Sequence, residues 1–101
     1  MADAALFRHG CLFALRRPLD DALQAELDRF AARFRAAFPG ITRYAFGPNL
    51  SRRAGRHVLV LYSEFVDEAT FKAYVASPLH DEIVAFLEPI VVETLIGDIV
   101  C

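Results

Sequence analysis

At 101 residues the chain is long enough for one hydrophobic core and too short for two, so residues 1–101 are read as a single domain. Its hydrophobic content of 55% and mean hydropathy of +0.33 exceed what so small a domain hides alone, which predicts a partner surface. A net charge of −2 and a pI near 5.8 argue against nucleic acid or an anionic membrane surface, and no apolar run approaches the roughly 20 residues of a membrane-spanning helix.

Asp3 and Arg8 flank only short apolar pieces, unlike a secretory signal. Two cysteines make no disulfide framework: Cys11 reads as a buried thiol and Cys101 as an exposed terminal one. The expected setting is the cytoplasm.

Leu6 to Leu15 reads as a first strand, ended by Arg16-Arg17-Pro18. His9, Cys11, Phe13 and Leu15 share one face; Gly10, Leu12 and Ala14 share the other, so the strand is expected to be buried on both sides. A helix follows from Leu19 or Asp20 to about Phe38, with Leu23, Leu27, Phe30, Phe34 and Phe38 as its stripe and Pro39-Gly40 as its stop. Ile41 to Phe46 alternates as a second strand, with Thr42, Tyr44 and Phe46 opposite Ile41, Arg43 and Ala45.

A turn-rich connection carrying Arg52, Arg53 and Arg56, read as a solvated cluster, leads to a third strand, Arg56 to Phe65. It sets His57, Leu59, Leu61 and Phe65 against Val58, Val60 and Tyr62. Asp67 caps a short helix that turns Phe71, Tyr74 and Val75 inward and ends near Ser77. Pro78 cannot continue that helix but suits the first turn of another, capped by Ser77 and patterned by Leu79, Ile83, Phe86 and Leu87. Leu95 to Val100 reads as the last strand, with Pro89 to Glu93 left to either element.

This order predicts an α+β, ferredoxin-like four-stranded antiparallel sheet with helices on one face. Since the first and third strands are apolar on both faces, the uncovered face is expected to meet the same face of a second copy. The homodimer then closes sheet-to-sheet into an α+β barrel.

The break at Ser77-Pro78 brings Tyr74 and His80 to one corner. They either fix the geometry of the break through hydrogen bonds or face a ligand. In a catalytic pocket His80 takes a proton from a carbon beside a carbonyl, while Tyr74 donates to the carbonyl oxygen. His9 or His57 orients His80 or holds a second oxygen. Phe13, Leu59, Leu23, Leu27 and Phe30 wall a site suited to a small apolar or aromatic carbonyl ligand.

His9, His57 and His80 supply no metal-ligand spacing, so neither metal nor cofactor is expected. The third strand also lacks the exposed rings of an RNA-recognition sheet.

With Tyr74-x-x-x-Pro78-x-His80 in place, the chain resembles the dimeric α+β barrel (Dabb) family, the stress-responsive A/B barrel domains. His9 at the head of the first strand, Pro39-Gly40-Ile41, Gly47-x-Asn49 and Asp98 in the last strand extend the likeness over nearly the whole chain. The resemblance implies a small homodimer of no assigned reaction. One branch, similar to plant olivetolic acid cyclase, closes a polyketide by an intramolecular aldol step. The positions matching Tyr74 and His80 are catalytic there, with histidines matching His9 and His57 in or near the pocket. Ser77 replaces that branch's histidine before the proline, and Ile99 replaces its aromatic after the terminal acid.

Overall fold

The computed structural model describes residues 5–101; Met1 to Ala4, with Asp3, lie outside the described residues. The elements are β1 (Phe7–Leu15), α1 (Asp21–Ala37), β2 (Ile41–Pro48), β3 (His57–Phe65), α2 (Glu68–Val75), α3 (Pro78–Leu87) and β4 (Val91–Val100). All neighbouring strands pair antiparallel in the order β2-β3-β1-β4, the expected ferredoxin-like sheet.

Helix α1 forms because Leu23, Leu27, Phe30 and Phe34 line one side at helical spacing, and all four are buried. Asp20 caps it by accepting from the Leu23 amide at 2.8 Å. Gln24 donates to the Phe46 carbonyl and Arg35 to the Tyr44 carbonyl, which fixes α1 along β2. Gly40 ends the turn after α1, where a Cβ would stand 2.8 Å from the Thr70 side chain, so only glycine fits without displacing the start of α2.

Three local expectations change. Ile41 joins Tyr44 and Phe46 in the core, because the β2–β3 register slips between Ile41 and Arg43 and a slip exchanges faces. The last strand begins at Val91, which pairs with Leu15 after a slip in β1–β4, so β-branched Val91 and Val92 go to the sheet. Val75 stands about 100° round α2 from Tyr74 and remains half-exposed, while Tyr74 is buried and Phe71 partly so.

On the helix-covered face, His9, Cys11, Phe13, Leu59 and Leu61 are buried. Among the described residues no helix lies over the opposite face. In the single chain Leu12, Val58, Tyr62, Leu95 and Ile99 remain between 37% and 61% exposed there. One polar cluster interrupts this apolar face, where Arg8, Tyr62 and Thr42 all donate to the Glu64 carboxylate. No helix among the described residues is long and apolar enough to cross a membrane.

Candidate ligand site

A cavity of about 660 Å³ lies between the sheet and the α2–α3 pair. Its walls come from His9, Cys11 and Phe13 of β1, Tyr44 and Phe46 of β2, Tyr74 of α2, His80 and Ile83 of α3, and Ile96 and Asp98 of β4. Half-exposed Val75, Val84, Val92 and Ile96 also line it and give it an apolar rim.

The helix break builds one corner. Ser77 Oγ donates to the Tyr74 carbonyl at 2.7 Å and accepts from the His80 amide at 3.2 Å, joining the end of α2 to the start of α3. The Tyr74 and His80 rings thereby stand 4.9 Å apart at 78°. They do not hydrogen-bond each other.

The Tyr74 hydroxyl is instead 2.8 Å from that of Tyr44. Burial pushes the Tyr74 phenol up to about 12 and Tyr44 further, so both stay protonated at neutral pH. Two hydroxyl protons share one bond. The second has no other protein acceptor among the described residues.

Burial lowers the pKa of His80 from its ordinary value, with His9 adding to the effect and Asp81 opposing it. The imidazole is therefore neutral at pH 7 and able to accept a proton. On the facing strand, His9 Nδ1 lies 2.5 Å from Asp98 Oδ1, and His9 Nε2 lies 3.3 Å from Cys11 Sγ.

Of the residues singled out in sequence, Tyr74, His80, His9 and Phe13 reach this cavity together. Leu23, Leu27, Phe30 and Leu59 do not wall it: they fill the solid core beneath α1. His57 is outside it as well. The β1–β3 register slips after Phe13, so His57 pairs with Ala14 instead of keeping step with Leu59. Its Nε2 then meets Glu93 at 2.9 Å, and Arg56 bonds the same carboxylate. No cluster of metal-ligating side chains gathers among the described residues.

Sequence reasoning did not bring Tyr44 or Cys11 to the site. The signal was available, since alternation sets Tyr44 beside Phe46 and Cys11 beside His9 and Phe13.

The family model for the stress-responsive A/B barrel domain (Dabb) matches residues 7–101. Among solved structures, a dimeric ferredoxin-like protein of unknown function from Thermobifida fusca superposes with a TM-score of 0.78 at 22% identity, covering 97% of this chain and 92% of that one. A Dabb-family protein from Mesorhizobium loti gives 0.77 at 23% identity, over 96% and 97% of the two chains. The hydroxynitrile lyase of Passiflora edulis gives 0.80 at 16% identity, over 98% and 95%. No curated protein matches in sequence.

Proposed function

The chain belongs to the stress-responsive A/B barrel domain family, and on that premise we propose a cytoplasmic homodimer that binds a small apolar carbonyl compound under α2 and α3. The observation that carries the ligand reading is the Tyr44–Tyr74 pair: an apolar cavity holding one O–H with no protein acceptor suits an apolar body with one carbonyl oxygen. Hydrogen bonding between the phenols also strengthens the remaining donor.

Dimerisation is supported by the open sheet face, whose Leu12, Val58, Tyr62, Leu95 and Ile99 form a hydrophobic surface that a twin would cover. The Thermobifida fusca neighbour is itself described as dimeric. Light scattering at micromolar concentration is expected to give twice the chain mass, and Val60→Lys to give aggregate or unfolded protein. A soluble monomeric wild type overturns the dimer.

For the ligand, calorimetry with propiophenone compares the wild type with the Tyr44→Phe/Tyr74→Phe double variant. Losing a hydrogen bond of about 1–1.5 kcal/mol weakens binding roughly tenfold. Equal affinity in the two proteins overturns the role of the phenols.

A second reading makes the site catalytic. Neutral His80 takes a proton from the carbon beside the carbonyl, and the free phenol O–H holds the enolate oxygen. That the Passiflora edulis neighbour is an enzyme is in keeping with such a use of the fold. Proton NMR of propiophenone in D2O tests it: exchange at the α-carbon is expected above the buffer rate and lost in His80→Ala. Exchange at the buffer rate removes the catalytic reading and leaves the binding one.

A further inference from the structure

We propose that Cys11 is a nucleophile in the cavity wall, served by His9 and oriented through Asp98, and that it adds covalently to small α,β-unsaturated carbonyl compounds. The inference rests on the cavity being a ligand site, but uses neither His80 nor its chemistry.

His9 and Cys11 stand two residues apart on one face of β1, and Asp98 is the partner of His9 across the β1–β4 ladder. The geometry orders the three groups. Asp98 accepts from His9 Nδ1 at 2.5 Å, so whenever the ring holds a single proton Nε2 is the bare nitrogen. That nitrogen faces Cys11 Sγ at 3.3 Å. Nucleophile, base and orienting carboxylate thus follow one another as acyl-transfer and thiol enzymes require.

Phe71 packs against the His9 ring at 5.0 Å and Tyr74 at 6.4 Å, which helps hold it in place. Cys11 is 6% exposed, yet it lines the cavity, so a ligand reaches it from inside.

Burial and the Asp98 charge push the Cys11 thiol up to about 12, so the resting sulfur is a thiol and not a thiolate. Transfer therefore accompanies attack. Sγ forms a bond to the β-carbon of the enone while its S–H bond breaks and the proton passes to His9 Nε2. The C=C electron pair moves to the carbonyl oxygen as an enolate, which accepts from the free phenol O–H of the Tyr44–Tyr74 pair. The His9 proton then returns to the α-carbon, leaving a neutral thioether and needing no further reactant. Cys11, Tyr44 and Tyr74 all line the same cavity, which sets the three groups round one space.

Phenyl vinyl ketone is the probe, with propiophenone as its saturated counterpart. Adducts are counted at Cys11 and Cys101 by peptide mass spectrometry across pH 6 to 9. Exposed Cys101 serves as the reference thiol within the same molecule. The other titratable groups lining the cavity are Tyr44, Tyr74, His80, Glu88, Glu93 and Asp98, so the pH profile is repeated in His80→Gln.

At pH 7 Cys11 is expected to react at least tenfold faster than Cys101. Asp98→Asn should slow Cys11 by about 100-fold, the scale of general-base assistance, while Asp98→Glu restores part of the rate and Cys101 is unchanged in both. Cys11 reacting no faster than Cys101, or at the same rate in Asp98→Asn, overturns the inference. If propiophenone binds but no adduct forms at Cys11, this inference fails while the ligand reading stands. An Asp98-dependent adduct at Cys11 without propiophenone binding removes the carbonyl-binding role of the phenols and keeps the cavity as a site for the enone.

Discussion

Two halves of one covered sheet face are built from nearly equal lengths of helix and end differently. Over β2 lies α1, seventeen unbroken residues. Beside it, α2 and α3 supply eight and ten residues with a break between them. The continuous helix keeps one stripe in register and buries Leu23, Leu27, Phe30, Ala31 and Phe34. The broken pair buries fully only Tyr74 and Ile83. Its residues at the break, Ser77 and Pro78, satisfy helix ends instead of filling space. The first half is solid and the second hollow, so continuity of a helix sets how much of a sheet it can fill.

Truncations sharpen the contrast most. Phe34 packs against Tyr44 and Tyr74 with ring centroids 4.8 and 5.0 Å apart, and Phe34→Ala is expected to lose about 3–5 kcal/mol in urea unfolding. Ile83→Ala, in a wall that already borders open space, should lose about 2 kcal/mol, the low end for such a change. Equal losses break the comparison.

Gly40→Ala comes next, at about 1–3 kcal/mol, because its Cβ must displace Thr70; an unchanged melting temperature counts against the close approach. Ser77→Ala removes the cap of α3 and should cost about 1 kcal/mol. That loss lowers the melting temperature by roughly 4–8 °C for a domain of this size. It also loosens the Tyr74–His80 corner and should weaken propiophenone binding, which a cap with no part in the site would leave alone.

The smallest effect is in pH. His80 binds its proton less readily folded than unfolded, so the unfolded chain holds more protons between the lowered pKa and 6.5. Stability therefore falls as pH drops through that window and is fully present above it. His80→Gln should remove this part of the acid slope in urea titrations, and an unchanged slope would mean the ring is not desolvated. The thiol acts at the other end. Cys11 holds its proton longer folded than unfolded, so its contribution is lost as pH rises from 9 towards 12.

Much of this arrangement was legible in the sequence. The spacing of Leu23, Leu27, Phe30 and Phe34 fixes α1, and Ser77-Pro78 fixes the break, because both depend on local chemistry alone. The double apolar alternation of β1 and β3 likewise foretells a sheet with one face left open. What alternation does not carry is a register slip. One slip turned Ile41 inward and another separated His57 from Leu59, since each depends on pairing with a distant strand. The cavity's walls were also expected to reach under α1, whereas only Tyr74, His80, His9 and Phe13 of the expected set line it. Leu23, Leu27 and Phe30 are as apolar as any ligand wall, and only the course of α1 along β2 shows that they are filled space. Tyr44 escaped notice for a related reason: its partner is thirty residues away, on a helix.

The two phenols at the centre of the hollow half have a property that neither has alone. Turning both O–H bonds reverses which oxygen gives and which receives, without moving a carbon atom. The spare proton can thus be presented from β2 or from α2. In the proposed ligand site, recognition of an oxygen would therefore be adjustable in direction without any movement of the two rings.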